Sequence, residues 1–249
     1  SKQYPRTVEE LKAAVAAIRQ RKPRSTVVLT GAGVSADSGI PTFRGDGGLW
    51  RNYRAEDLAT PEAFARNPPL VWEWYEWRRS IVRDAKPNAA HLAIARIPNA
   101  LVVTQNVDGL HQRAGSTDVI ELHGNLFRAR CVRDNTRIDA TDAFGELPPK
   151  CQCGALLRPD VVWFGEMLPE GAFDRAAYAV RGADLLLVIG TSGVVFPAAG
   201  LVSFHDGLSI EINPQSSAIS SSCTFAIPAN AALATPPIVD AILDAGTDR

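Results

Sequence analysis

His123 is the side chain in this sequence best suited to exchange protons during a reaction. It lies in the segment ELHGN, directly after Val119–Leu122, a run typical of a β-strand. An imidazole titrates near neutral pH, so a histidine at the ligand-binding edge of a sheet can act as a general base. The alternative is a packed histidine that is hydrogen-bonded to the backbone, but the position at a strand end favours the catalytic interpretation. The other histidines, which lie on predicted helices or at their edges, are His91, His111 and His205.

Asn106 and Asp108 follow an earlier candidate strand, Leu101–Thr104, in the segment TQNVDG. An amide and a carboxylate together can bind a neutral group that both donates and accepts hydrogen bonds. The alternative is a turn in which both side chains cap a helix that begins near Gly109. The two roles are compatible.

A glycine-rich turn follows the buried-strand run Thr26–Thr30. Gly31 and Gly33 permit a tight turn with close backbone approach, and free N–H groups at the start of the next helix can bind a pyrophosphate. Ala36 fills the third small position of the dinucleotide-binding pattern. The stretch GDGGLWRNYRAED that follows has no strand pattern that would present a ribose-binding acid, so a nicotinamide-dependent dehydrogenase is disfavoured. A purely structural glycine turn is the alternative.

The cysteines indicate metal binding rather than disulfide formation. Cys131, Cys151 and Cys153 fall within one stretch of a 249-residue chain, which suits soft metal ligands in a reducing compartment. Cys223 lies in a strand-like run and is predicted to belong to the core.

The elements that position these residues indicate an α/β fold. Strand-like runs that end in polar, glycine-bearing motifs alternate with helical segments, which is typical of a doubly wound, Rossmann-type parallel sheet. Motifs at the carboxyl ends of parallel strands converge in space, so we expect one ligand site. Thr7 with Glu10 predicts a capping box at the first helix, and Leu70, Trp74, Trp77 and Ile81 predict a core-facing stripe on a helix from about Pro69 to Ala85. Further predicted elements are helices Phe173–Val180, Pro197–His205 and Pro237–Leu243 and strands Leu185–Ile189, Leu208–Ile212 and Cys223–Ile227.

Two interruptions of this pattern predict a smaller domain. We expect the large part to comprise about residues 1–41, 99–123 and 166–249. The small domain would comprise about residues 42–98, which are helical, and 124–165, which carry the three cysteines. All of these would form one catalytic domain.

Charge and hydropathy exclude several classes of partner. The formal net charge is −1, from 26 basic and 27 acidic residues, so nothing indicates binding to nucleic acid or to an anionic membrane. No apolar run approaches the length that spans a bilayer, and the first residues, SKQYPRTVEELK, lack the apolar core of a secretory signal. We therefore expect a cytoplasmic, intracellular protein; no oligomeric state is indicated.

Five motifs occur in one order along the chain: GAGVSADSGIPTFR, TQNVDGLHQRAG, ELHGN, RPDVVWFGE and GTSGVVFPA. Together they resemble the sirtuins, the NAD-dependent protein lysine deacylases, over nearly the whole chain. The resemblance implies a Rossmann-type domain, a small domain, acyl-lysine peptides as substrates and NAD as a consumed co-substrate. It implies that His123 deprotonates a ribose hydroxyl of NAD after the acyl oxygen has displaced nicotinamide.

The resemblance also implies roles for cofactor-binding residues. Asn106 would orient the reacting ribose or a water, Asp108 would accept from the nicotinamide carboxamide, and Gln105 would touch the ribose. Phe43 and Arg44 resemble the mobile cofactor loop, although Arg44 alone is an ordinary surface charge. The remaining positions that would contact NAD are Gly31, Ala32, Gly33, Ala36, Gly190, Thr191, Ser192, Asn213 and Ala229.

Tyr75 and Arg78 lie three residues apart on a predicted helix, so a phenol and a guanidinium can bind one carboxylate together. This pair resembles the signature of the sirtuin subclass that removes succinyl, malonyl and glutaryl groups. The alternative is an arginine whose stem covers apolar surface beside an interfacial tyrosine. By the same resemblance, the residues that hold the substrate peptide as an added strand are Val161, Phe164, Gly165 and Val194.

The metal site departs from the family pattern. Sirtuins usually hold structural zinc with two cysteine pairs, whereas Cys131 stands alone opposite Cys151 and Cys153, so the site is predicted to be incomplete. Zinc tolerates a carboxylate ligand, so Asp134 can fill the vacant position; otherwise it is a plain surface acid. Alternatives to deacylation are ADP-ribosyl transfer, NAD hydrolysis and a catalytically silent NAD or ADP-ribose binding module.

Overall fold

Residues 3–43, 49–194 and 197–247 are described by a computed structural model of the chain, and the strands among them form two sheets. In chain order the strands are β1 (Thr26–Thr30), β2 (Leu101–Thr104), β3 (Val119–Glu121), β4 (Gly124–Cys131), β5 (Arg137–Asp139), β6 (Leu157–Val161), β7 (Leu185–Ile189), β8 (Leu208–Ile212) and β9 (Phe225–Ile227). The large sheet is parallel, with the order β3-β2-β1-β7-β8-β9, and the small sheet is antiparallel, with the order β5-β4-β6. The predicted fold class is confirmed.

The helices cover both faces of the large sheet and extend to the small one. They are α1 (Gln3–Arg21), α2 (Ala55–Leu58), α3 (Pro61–Arg66), α4 (Pro68–Asp84), α5 (Ala89–Ala95), α6 (Leu110–Arg113), α7 (Ala172–Gly182), α8 (Ala198–Val202) and α9 (Ala231–Thr247). Short 3₁₀ helices occupy Ala32–Ser38 and Ser220–Ser222. No helix in the described part of the chain is long and apolar enough to cross a membrane.

Burial on both faces explains why the central strands are predominantly apolar. Every residue of β1, β7 and β8 is buried. Val28 points into a core formed with α1, α5 and α9, whereas its neighbours Val27 and Leu29 point into a second core formed with α7 and α8. The alternation follows from the two-residue period of a strand.

A third core joins the small sheet to the helices α2, α3 and α4. The indole of Trp72 on α4 donates a hydrogen bond of 2.9 Å to the Leu157 carbonyl on β6. Arg79, also on α4, is buried and donates to the carbonyls of Leu126 and Asp142. These contacts fix α4, which carries Tyr75 and Arg78, against the strands of the cysteine-bearing segment.

Several predicted boundaries were wrong where packing outweighs local signals. The helix α1 begins at Gln3 rather than at Thr7, whose hydroxyl donates to the Pro228 carbonyl instead of capping. The glycine turn leads into a 3₁₀ helix, and α9 begins at Ala231, since Ala231 and Ala234 pack in the core ahead of Pro237.

Smaller differences concern α4, α7, α8 and two strand ends. The buried face of α4 includes Val71, Tyr75 and Val82 together with Trp74, whereas Trp77 is only half-buried. Leu70 and Ile81 are half-buried as well. The helix α7 extends at both ends to Ala172–Gly182, α8 is confined to Ala198–Val202, β3 ends at Glu121 and β9 begins at Phe225.

Candidate active site

A cavity of about 1210 Å³ opens at the carboxyl ends of the parallel strands. Its walls include Ala32 after β1, Asn106 after β2, His123 after β3 and Thr191 after β7. The polar motifs that are far apart in sequence therefore meet in one space, as expected for an open parallel sheet. The opposite wall comes from α4 and from the segment after β6.

The ring of His123 has a defined hydrogen-bonding role. Its Nδ1 lies 3.0 Å from the Gln105 carbonyl oxygen. Because a carbonyl only accepts, Nδ1 carries the proton and donates. The backbone carbonyl of His123 accepts from Val162 N at 2.8 Å, which ties the histidine to the segment after β6. This half-buried imidazole is one of the residues that line the cavity.

Asn106 and Asp108 are held by bonds to neighbouring elements. The Asn106 amide nitrogen donates to the Gly31 carbonyl at 2.9 Å, which leaves the amide oxygen as its acceptor atom. Asp108 is 5 % exposed, and its two oxygens accept from Ser35 Oγ at 2.6 Å and from Leu110 N at 3.0 Å. Of the two side chains predicted to cap this helix, Asp108 thus bonds to the first residue of α6 and also lines the cavity, whereas Asn106 bonds to Gly31.

Two buried histidines beneath the cavity were not singled out from the sequence. The rings of His91 and His111 meet edge to face at 5.1 Å. His91 Nε2 lies 3.3 Å from Ser35 Oγ, the hydroxyl that donates to Asp108. Burial lowers the pKa of His91, and the Asp108 carboxylate opposes that shift. A histidine inside the apolar run AAHLAIA was the sequence signal for this buried network.

The glycines of the first motif pack against another glycine. A Cβ atom on Gly33 would lie 2.6 Å from Gly190 Cα, and one on Gly31 would lie 2.9 Å from the Gly190 oxygen. Gly33 N donates to that oxygen at 2.8 Å, and Gly190 itself has a positive φ of 69°. These glycines therefore have a structural role, because they allow the loops after β1 and β7 to pack together at the edge of the cavity.

Other predicted cofactor-binding residues fall into three groups. Ala32, Phe43, Gln105 and Ser192 line the cavity, and the Thr191 hydroxyl donates to Gln105 Oε1 at 3.0 Å. Ala36, Asn213 and Ala229 are described but are not among the described residues that line it. Ala36 is exposed on the 3₁₀ helix, Asn213 donates to the Thr191 carbonyl at 2.9 Å, and Ala229 is buried in the core. Arg44 lies outside the described residues.

Tyr75 and Arg78 both line the cavity from α4. The Tyr75 hydroxyl accepts from the Trp163 indole at 2.9 Å, which leaves its own O–H as a donor. Burial raises the pKa of Tyr75, so the phenol stays protonated. The Arg78 guanidinium lies over three rings, 4.6 Å from the centroid of Phe43, 4.9 Å from that of Trp74 and 5.2 Å from that of Tyr75. A phenol donor and a cation therefore share one apolar wall.

The predicted peptide-binding residues flank the opening. Val161, Phe164 and Gly165 line the cavity after β6, and Phe164 is 46 % exposed. Val194, 78 % exposed, lies beyond the described lining residues in the loop after β7. Sequence reasoning missed Met167, which lines the cavity and is 91 % exposed.

The cysteine cluster has four donors, so the prediction of an incomplete site was wrong. Donor atoms of Cys131, Asp134, Cys151 and Cys153 all lie within 4.8 Å of one another. The sulfur atoms of Cys131 and Cys153 are 3.6 Å apart. The pKa of Asp134 is lowered chiefly by the Thr136 backbone N–H, which favours the anion that a metal requires. Asp134 therefore takes the vacant position, and three thiols with a carboxylate fit zinc.

Comparisons with known proteins agree with this geometry. The model of the Sir2 family matches residues 31–197. An NAD-dependent protein deacylase of Aquifex aeolicus is 55 % identical over 202 residues, which cover 78 % of this chain and 84 % of the relative. The crystal structure of a Sir2 homologue in complex with NAD has a TM-score of 0.86 and 45 % identity, and the match covers 94 % of each chain. A Sir2 complex with a deacetylated p53 peptide and 3'-O-acetyl ADP ribose has a TM-score of 0.77 and 33 % identity, covering 90 % of this chain and 97 % of the other.

Proposed function

The chain belongs to the Sir2 family and is an NAD-dependent protein deacylase, and from that premise we propose that it prefers acyl-lysines whose acyl group carries a carboxylate. Succinyl-, malonyl- and glutaryl-lysine are such substrates. The observation that carries the proposal is the pairing of the Tyr75 phenol and the Arg78 guanidinium in the cavity that also contains His123. A carboxylate can accept from both groups at once.

The environment of Arg78 supports this preference. Three aromatic rings surround the guanidinium, so a carboxylate beside it would be shielded from water and attracted more strongly than at the surface. An acetyl group has no charge to offer at this position. We expect catalytic efficiency on succinyl-lysine to exceed that on acetyl-lysine by about ten- to a hundredfold, the worth of one charge-assisted hydrogen bond.

The residues present also fit NAD. We propose that the pyrophosphate lies beside the Gly31–Gly33 turn, with hydroxyls from Thr191 and Ser192 nearby. The chemistry that NAD supplies when bound is a ribose carbon that loses nicotinamide and accepts the acyl oxygen. His123 Nε2 would remove a proton from a ribose hydroxyl while its Nδ1–H stays bonded to the Gln105 carbonyl.

Two further residues would orient the reacting groups. Asn106 would hold the ribose or a water through its amide oxygen, because its nitrogen is already bonded to Gly31. Asp108 would accept from the carboxamide N–H with the lone pairs that Ser35 and Leu110 leave free. The substrate backbone would pair with Val161–Gly165 and with Val194. The remaining parts of NAD would be contacted by Asn213, Ala229, Ala36 and Arg44.

The domain division remains part of this proposal. The large sheet would bind NAD, and the helical and cysteine-bearing segments would form a small domain that holds the acyl group. Zinc would be bound by Cys131, Asp134, Cys151 and Cys153 and would be structural in role, because none of these four is among the described residues that line the cavity with His123.

The acyl preference is tested with one peptide carrying succinyl- or acetyl-lysine. We compare kcat/KM for the unmodified protein, Arg78→Met and the control Arg83→Met, which removes a charge from the same helix outside the described cavity wall. Arg78→Met is expected to abolish the preference and Arg83→Met to retain it. Equal efficiency on both peptides in the unmodified protein would refute the proposal.

A further inference from the structure

A chain of buried hydroxyls links the turn that carries Asn106 to a histidine behind the active site. The backbone N–H of Asn106 donates to Thr104 Oγ1 at 3.0 Å, and Thr30 Oγ1 donates to the same oxygen at 2.8 Å. His111 Nε2 lies 2.9 Å from Thr30 Oγ1. The three side chains concerned are at most 3 % exposed, so water does not compete for these bonds.

The direction of each bond fixes the tautomer of His111. The hydroxyl hydrogen of Thr30 is used toward Thr104, so the Thr30 oxygen must accept from the ring. His111 therefore carries its proton on Nε2. Burial, reinforced by the neighbouring His91, lowers the pKa of His111 to about 3, so the ring is neutral and this is its only donor.

The other ring nitrogen shows that packing alone does not account for a histidine here. Nδ1 of His111 is buried and has no hydrogen-bond partner among the described residues. An unpaired buried acceptor is destabilising, and an apolar side chain of similar size would avoid that cost. A buried polar atom that is left unpaired in this way lowers stability, and such atoms are expected at positions that contribute to function.

The connectivity shows what this bond constrains. The segment from Thr104 to His111 leaves β2, carries Asn106 and Asp108 into the cavity and returns as α6. Thr30 on β1 contacts both ends of this segment, through Thr104 at its start and through His111 at its end. These two bonds hold both ends of the segment against β1.

We propose that His111 is a positioning residue for deacylation, which acts through Thr30 and Thr104 to hold the Asn106 turn in its reactive place. The inference rests on the proposed role of Asn106. Because Asn106 would act on the reacting ribose or water, loss of the bonds from Thr30 to Thr104 and His111 is expected to lower kcat more than it raises the KM for NAD.

The test measures kcat and KM for NAD in His111→Leu, His111→Gln, Thr30→Val and the double variant His111→Leu/Thr30→Val. His111→Leu is expected to lower kcat about fivefold, the worth of one buried neutral hydrogen bond, with KM for NAD unchanged within about twofold. His111→Gln, whose amide nitrogen can replace Nε2 as donor, restores most of kcat. The double variant is no slower than the slower single variant, because both changes break one chain.

His205→Leu is the matched control. This ring contacts two backbone carbonyls, those of Val180 and Leu208, away from the cavity. Its loss is expected to lower the melting temperature without changing kcat, and the melting temperature of every variant is recorded to establish that it folds. Wild-type kcat in a folded His111→Leu, an equal loss in His111→Gln, or multiplying effects in the double variant would overturn the inference.

Asn106→Ala separates this inference from the proposed function. Unchanged kcat in Asn106→Ala would refute the proposed role of Asn106 and remove the basis of the inference. A large loss in Asn106→Ala together with wild-type kcat in His111→Leu would refute the positioning role alone.

Discussion

Replacing Asp134 tests whether a carboxylate completes a zinc site in this chain. Zinc–sulfur bonds of about 2.3 Å at tetrahedral angles place two sulfur ligands about 3.8 Å apart. The Cys131 and Cys153 sulfur atoms already lie 3.6 Å apart, and all four donors lie within 4.8 Å. The cluster thus needs to contract by about 1 Å at most to close around the ion.

The expected loss of zinc affinity and of stability in an Asp134 variant follows from the removal of one zinc ligand. Removing a residue that merely supports a zinc ligand weakens metal binding by about 10- to 100-fold, so removing a ligand should weaken it by at least about tenfold. Tenfold weaker binding lowers the free energy of unfolding by about 1.4 kcal/mol at a fixed concentration of free zinc. For a protein of this length, that lowers the melting temperature by about 3–6 °C.

The assay measures zinc content, zinc affinity against a competing chelator and the melting temperature in buffered zinc. Asp134→Ala should bind zinc more weakly and melt earlier, whereas Asp134→Cys, which supplies a fourth thiolate, should bind it more tightly. Asp139→Ala is the control, because it removes an exposed carboxylate from the neighbouring strand β5 without touching the cluster. Equal zinc affinity in the unmodified protein and Asp134→Ala would refute the four-ligand site.

Three further outcomes are expected. Gly33→Ala should destabilise the fold by about 1–3 kcal/mol, because its Cβ would lie 2.6 Å from Gly190 Cα, whereas Gly200→Ala, with open space around it on α8, should not; denaturant unfolding checks both. Stability should fall as the pH drops from about 6.5 toward 3, since the unfolded chain protonates His111 in this range and the folded chain does not. In His111→Gln this slope should be shallower by up to about 1.4 kcal/mol per pH unit; an unchanged slope would contradict the assignment. Tyr75→Phe should lower kcat/KM on succinyl-lysine about fivefold without affecting acetyl-lysine, and an equal loss on both peptides would argue against the shared carboxylate site.

The parallel sheet was predictable because its signals are local. The runs at Thr26–Thr30 and Leu185–Ile189 are predominantly apolar, since helices cover both faces, and each is followed by glycines. The position of His123 beyond a strand end, together with the carboxyl-end rule, indicated the shared cavity. These features required no knowledge of distant contacts.

Other features depend on contacts between distant residues. Gly31 and Gly33 are glycines because Gly190, more than 150 positions later, packs against them. The role of His91 emerges only when Ser35 and Asp108 are brought beside it. The sequence indicated Asp134 as a candidate fourth ligand, but the choice between a ligand and a plain surface acid depended on how β4 and the segment before β6 pack together, which places its carboxylate within 4.8 Å of the three sulfur atoms.

The most direct test of the account is mass spectrometry of the protein incubated with NAD and a succinyl-lysine peptide, performed in parallel with folded His123→Ala. The account predicts deacylated peptide, nicotinamide and O-acyl-ADP-ribose in equal amounts with the unmodified protein, and loss of this turnover in the variant. Deacylation by His123→Ala at the unmodified rate, or ADP-ribosylated protein in place of O-acyl-ADP-ribose, would contradict it.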